Sequence, residues 1–331
     1  MTYELVYYLF MVLIGALFCI IKIPSERLYF FITLFLLCIY SSIIRYSGFD
    51  GDMNAYEVAL KSESFSLYYL KEPVYWMTSR YIYKITQSEE ITFIIFDILS
   101  FIFVLKARTN MKLPQYFPYL FLLFFPAVMG MNNVFRQYLS YTIFLYFTSL
   151  LLVGSGFIKK SFFILISILT HNVGALFSPL FFTFNEKRHI SIKSVFSYLC
   201  VLTLLPFVLG TKSYSDSGML GVGVYLFVML MLLIFYILSY RNRLNDISAK
   251  FLYYFIYLIS LTSLAALLMG SAQSKRVGMF ALMIILVPVV KAIEDNYKQK
   301  MFVRVTLYIM LITPTILFPS SLIMLLTQVN S

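Results

Sequence analysis

The chain has 331 residues, of which 61% are hydrophobic and 12% charged, and a formal net charge of +11. Soluble domains carry about 25% charged residues, so the composition excludes an ordinary soluble protein. The positive balance does not mark a nucleic-acid binder, because the Lys and Arg residues sit in short loops between apolar runs, the pattern of the positive-inside rule.

In chain order, apolar runs predict spans at Leu5–Ile23, Leu28–Ile44, Ile91–Leu105, Tyr116–Met131, Tyr138–Gly156, Val195–Gly210, Met219–Tyr240, Phe251–Gly270, Val277–Val290 and Val305–Leu326. Crossing a bilayer as a helix takes roughly 20 residues, which most of these runs approach. Backbone in lipid must satisfy its own hydrogen bonds, so the runs are expected to be helices. The predicted fold is an all-α integral membrane protein of about ten transmembrane helices, one polytopic domain over 1–331. Cys19, Cys38 and Cys200 lie within apolar runs without metal-ligand spacing and read as packing residues. The first run is too long for a cleavable signal, and no basic residue precedes it.

The basic loops set an orientation. With Lys22 and Arg27 in the cytoplasm, Lys106, Arg108, Lys112, Lys159 and Lys160 follow on the same side. The later clusters at Lys187, Arg188 and Lys193, at Arg241 and Arg243, and at Lys298 and Lys300 join them only if the stretch 161–184 enters and returns. A break at Thr170-His171-Asn172, with Gly174 beyond, suits such a re-entrant hairpin, which is tolerated where it lines a cavity. The competing reading is a full span there and one further crossing elsewhere, for instance at Phe65–Ile85. The longest polar segment, 45–90, then lies on the outer face. Its Tyr68, Tyr69, Tyr75, Trp76, Tyr81 and Tyr83 suggest an amphipathic helix in the interface. Most of these rings read as an aromatic belt; Trp76 is the candidate for stacking on a sugar.

The unusual polar residues fall at the outer ends of spans or in outer loops. Asn132-Asn133-Val134-Phe135-Arg136-Gln137 opens one span. An Asn N-cap, free helix N–H groups and a planar guanidinium there would make an anion site suited to phosphate. Ser271-Ala272-Gln273-Ser274-Lys275-Arg276 opens another span in the same sense, so Lys275 and Arg276 could hold a second phosphate or share a pyrophosphate. The alternative for all three cations is headgroup anchoring. Asp50-Gly51-Asp52 and Glu72 supply carboxylates; they either pair with Arg45, Lys61 or Lys71, or one of them is a general base. His171 stands alone in an apolar stretch, either a hydrogen-bonded core residue or a functional one facing the carboxylates. No cluster has the spacing of a metal site, and no cofactor is expected.

The ordered set Arg45, Asp52 and Tyr56, then Glu72-Pro73, then Asn133 with Arg136-Gln137, then His171, then Arg276 with Phe280 resembles the EpsG-like group of Wzy-type polysaccharide polymerases. Thr170 stands where that group has a small residue, and Asn172-Val173-Gly174 where a Ser often follows. The resemblance implies a glycosyltransferase of the O-antigen or capsule pathway in the bacterial cytoplasmic membrane, its site facing the exterior. It would move an undecaprenyl-pyrophosphate-linked oligosaccharide onto a lipid-linked repeat unit, with a chain-length regulator protein as a further partner. Asp52, Glu72, Arg136 and His171 would then be catalytic, with Asp52 or Glu72 as the base and Arg45 orienting it, and Arg45, Gln137, Lys275, Arg276 and Trp76 substrate-binding. The competing classes are a lipid-linked glycan flippase, an O-antigen ligase or membrane acyltransferase, and a structural membrane subunit.

Overall fold

The computed structural model describes residues 2–49, 51–62, 64, 66–185, 191–209, 221–240, 244–318, 322, 323 and 325. The carboxylate of Asp50, the loop residues Lys187, Arg188 and His189, and Arg241 and Arg243 lie outside them. The described residues hold fifteen α-helices, two 3₁₀ turns and no strand. The protein is an all-α membrane protein. Contacts divide it into two compact units, one of residues 1–174 and 301–331, the other of residues 175–300.

In the first unit, α1 (Tyr3–Ile20) and α2 (Glu26–Tyr46) are capped by Thr2 and Ser25, whose hydroxyls accept from Leu5 N and Leu28 N. Then come α3 (Asp52–Lys61), a 3₁₀ turn at Leu67–Lys71, α4 (Pro73–Thr86) and α5 (Glu89–Met111). The run expected to cross as Tyr116–Met131 is two short helices, α6 (Phe117–Leu123) and α7 (Phe125–Asn132), broken at Phe124, which is extended. Pro126 favours the break: it lies in the first turn of α7, where its missing N–H costs nothing. It would disfavour a continuous helix by clashing one turn back, although the later helices Ser271–Asn296 and Lys300–Leu317 accommodate Pro288 and Pro314. Next are α8 (Phe135–Leu152) and α9 (Phe157–Thr170), and α15 (Lys300–Leu317) returns to this unit. The second unit holds α10 (Pro179–Asn185), α11 (Ile192–Leu209), α12 (Val222–Tyr240), α13 (Asp246–Leu268) and α14 (Ser271–Asn296).

Among the described residues six helices (α1, α2, α12, α13, α14 and α15) are long and apolar enough to cross a membrane. The other expected spans are more polar, shorter or broken: α5 carries Asp97 and charged ends, and α8 opens on Arg136-Gln137 and contains several hydroxyl residues. The outward surfaces are apolar. Phe31 and Phe35 on α2, Phe227 and Leu238 on α12 and Phe302 on α15 are each more than 60% exposed, as lipid-facing side chains would be.

Each unit is organised around one sheathed helix. In the first it is α8, buried around nearly its whole circumference from Phe135 to Leu151; in the second it is α14. Helices apolar on every side belong in the interior. Helix α9 lies antiparallel to α8, since the Ser140 Oγ donates to Ser167 O at 2.9 Å and the Ser167 Oγ to Ser140 O at 2.9 Å. Its C-terminus therefore returns to the end of α8 that carries Arg136. Gly15 lets α15 approach α1: a Cβ there would lie 2.1 Å from the Tyr308 hydroxyl, which donates to Val12 O.

The most deeply buried charges of the first unit form a tight pair. Arg45, at the end of α2, places Nε 2.8 Å from Asp97 Oδ2 and Nη2 3.0 Å from Oδ1; Nη2 also donates to Met131 O at 3.0 Å. Ser41 donates to the same carboxylate at 2.6 Å, and the guanidinium lies 4.8 Å from the centre of the Phe135 ring. Both charged side chains are essentially inaccessible, at 1% and 0% exposure. Removing one partner leaves the other charged and unsolvated. Asp97→Ala should therefore cost about 3–5 kcal/mol. The apolar pair Arg45→Met with Asp97→Leu should recover most of that loss. Thermal unfolding of the purified variants in detergent checks both, and equal losses in the single and double variants would show that the pair is not the relevant term.

Candidate active site

The site is built where three helix ends meet. Glu72 is the N-cap of α4 and precedes Pro73, which fits the first turn because that turn has no use for its missing N–H. Arg136 lies in the first turn of α8. His171 is the C-cap of α9, in extended conformation, and the 3₁₀ turn Asn172–Phe177 follows it.

Glu72 joins the other two. Its Oε2 pairs with Arg136 Nη1, its Oε1 lies 2.5 Å from His171 Nδ1, and the Asn172 N–H donates to Oε1 at 3.3 Å. Burial pushes the Glu72 carboxyl up, but the hydrogen bond and charge of His171, then the charge of Arg136 and the Asn172 N–H, outweigh it and hold the pKa at about 2. So strongly held a carboxylate is a poor proton acceptor near neutral pH, but it orients its partners well. When the imidazole is neutral, an Nδ1–H bonded to Glu72 leaves the lone pair on Nε2, the arrangement of a general base.

Arg136 sits in an aromatic cage. Its guanidinium carbon lies 5.1 Å from the Trp76 ring centre, 5.3 Å from Tyr56 and 5.8 Å from Tyr68. Nη1 also reaches the Tyr68 hydroxyl at 3.2 Å and Nε the Tyr56 hydroxyl at 3.4 Å. Among the described residues Nη2 donates to nothing, so one edge of the fork is available to an anion. Rings that carry a cation on their faces and exclude water strengthen its attraction for charge.

The remaining candidates separate. Asp52 opens α3, and its N–H donates to Asn133 Oδ1 at 2.9 Å. Asn133 thus caps α3 rather than α8, whose N-cap is Val134 without a side-chain bond. Gly51 permits this, with φ of +55° and no side chain: a Cβ there would lie 2.8 Å from Asn133 Oδ1. Gln137 is fully buried next to Arg136. Trp76 is 4% exposed and packed among Tyr56, Tyr68, Tyr69 and Tyr75, so its ring supports Arg136 and offers little open face to a sugar. Arg45, expected to orient the base and bind substrate, is instead committed to Asp97 and Met131 because a lone guanidinium cannot stay unpaired at that depth. Lys275 and Arg276 belong to the second unit, half-buried in the first turns of α14, where Phe280 stacks on Phe177 with centroids 4.1 Å apart. Tyr56 and Tyr68 were not read as walls of a cage; the signals were the place of Tyr56 in the ordered set and, for Tyr68, the density of aromatics beside Glu72.

A family model described as the EpsG family matches residues 27–325, nearly the whole chain. The chain belongs to the EpsG family, a Wzy-like family of polysaccharide polymerases. No curated protein and no solved structure matches it. The family match spans both units, including every residue of the Glu72, Arg136 and His171 cluster.

Two outcomes follow from this geometry. The Glu72 pKa is lowered from 4.5, so its contribution to stability is present above about pH 4.5 and lost as the pH falls toward 2. The stability gap between wild type and Glu72→Gln should be widest at neutral pH and close over that interval; a gap constant down to pH 2 would mean the carboxylate is not held this way. Gly51→Ala should loosen the α3 junction through strain at positive φ and contact with Asn133, costing about 1–3 kcal/mol. Faster hydrogen exchange at the Asp52 amide would register it.

Proposed function

We propose that the chain is a membrane glycosyltransferase. It transfers a glycan from a polyprenyl (undecaprenyl) pyrophosphate to the sugar end of a lipid-linked repeat unit, at the outer face of the bacterial cytoplasmic membrane. The observation that carries this reading is the contact of Glu72 with both Arg136 and His171: an anion-binding fork and an oriented base share one carboxylate. The acceptor hydroxyl gives its proton to His171 Nε2 as its oxygen bonds to the anomeric carbon of the donor. The bond from that carbon to the pyrophosphate oxygen breaks, and Arg136 stabilises the negative charge that collects on the leaving group. Glu72 holds the imidazole and the guanidinium in register and stays ionised throughout. Lys275 and Arg276, on the N-terminal turns of α14, are proposed to bind a second phosphate.

A flippase needs charges along a path across the bilayer. The charged pair deep in the bundle, Arg45 with Asp97, is sealed from any such path, which favours the enzyme. Membranes carrying His171→Gln should polymerise about 10²–10⁴-fold more slowly, the usual contribution of a general base, while still binding lipid-linked substrate. Arg136→Lys keeps the charge but loses the fork and should also abolish long chains. Polymer of normal length from His171→Gln membranes would rule out the imidazole as base. Repeat units trapped on the cytoplasmic side in these strains would indicate a transporter.

A further inference from the structure

A second binding feature lies at the opposite end of the first unit. Tyr146 is about 15 Å along α8 from Arg136 at 1.5 Å rise per residue, and the first turns of α2 and the last turns of α5 end beside it. Together they line an open cleft of about 720 Å³, within the range of small-molecule sites.

The cleft carries unbalanced positive charge. Arg27 and Lys106 both line it, both are exposed, and neither has an ion-pair partner among the described residues. Its one carboxylate, Glu26, is neutralised by Arg108. One wall is apolar: Phe30 and Phe31 line it, Phe31 is 66% exposed, and Phe35 one turn on continues the same outward stripe of α2. On the α5 side Asn110 donates its amide N–H to Ser149 Oγ at 3.0 Å, which directs the amide oxygen away as an acceptor. Two cations, an acceptor for a hydroxyl and an apolar stripe leading along the outside of a membrane helix describe a ligand with an anionic, hydroxylated head and a hydrocarbon tail. A free anion would make no use of the phenyl wall, and a zwitterionic lipid would bring a cation to a site that already has two.

We propose that this cleft binds the headgroup of an anionic glycerophospholipid. The phosphate sits between Arg27 and Lys106, a headgroup hydroxyl donates to Asn110, and an acyl chain lies along Phe31 and Phe35. Basic pockets between membrane helices are a recurrent form of anionic-lipid site, and each Lys or Arg near a lipid surface strengthens binding about fivefold. The site is separate from the Arg136 cluster, so the proposal does not depend on the reaction assigned there.

The test uses the full chain in neutral detergent, titrated with phosphatidylglycerol, phosphatidylcholine or inorganic phosphate, and reads thermal protection and lipid retention by native mass spectrometry. Phosphatidylglycerol should protect and be retained. Arg27→Gln should weaken its apparent affinity about fivefold, Lys106→Gln similarly, and Arg27→Lys should keep most of it. Lys84→Gln removes an exposed cation outside the cleft and should change nothing. Equal protection by phosphatidylcholine would overturn the anionic assignment, and equal protection by inorganic phosphate would overturn the lipid assignment. Equal weakening by Lys84→Gln and Arg27→Gln would assign the effect to net charge and overturn the site.

Discussion

The buried pair of Arg45 and Asp97 is the constraint around which the first unit is arranged. A guanidinium in an apolar bundle must be neutralised and fully hydrogen-bonded, and here that requirement draws together three helices. Asp97 comes from α5, Arg45 from the end of α2, and the Met131 carbonyl from the last turn of α7. The guanidinium also lies over Phe135, the residue before Arg136. The deep pair therefore fixes the turn between α7 and α8, and that turn sets where the exposed edge of Arg136 points. A charge that never meets substrate in this reading still positions one that does.

The same economy of charge operates nearer the surface. Glu72 has two cationic or cation-capable partners and a backbone N–H, so it stays ionised in a largely dry pocket. Its two oxygens are divided: one serves Arg136, the other His171 and Asn172. This division converts three separate helix ends into one cluster whose parts differ in role. The aromatic residues beside it shield these interactions from water and carry the guanidinium on their faces. Tyr56 is the hinge of this arrangement, because it sits on α3 and α3 is tied to the Asn133 side chain next to Arg136. Asn133, by capping α3, couples the outer segment to the core helix α8.

Much of the cluster could be named in advance but not assigned. Glu72, Arg136 and His171 stood out because charges and imidazoles are rare in apolar sequence. Which of them met was not readable, since they are separated by 64 and 35 positions and no local pattern encodes a contact at that range. The partner of Arg45 was unreadable for the same reason: next to the outer loop in sequence, it pairs inward with Asp97, 52 positions along the chain. Trp76 looked like an exposed platform, but α4 turns it into the interior among four tyrosines.

Sequence by itself determined the class of molecule, the helical character of the apolar runs and the rarity of the polar residues that matter, because bilayer length, backbone hydrogen bonding and the cost of burying charge act on composition and local pattern. The run Tyr116–Met131 read as one span, and only the structure showed it broken at Phe124. The tertiary structure alone decided the partners. A buried charge must find an opposite one, but several candidates satisfied that demand on paper, and only packing of α2, α5 and α7, and of α4, α8 and α9, put particular atoms within hydrogen-bond distance. The roles proposed for Glu72 as organiser and His171 as base rest on that packing, because a carboxylate's chemistry depends on what surrounds it and not on its place in the chain.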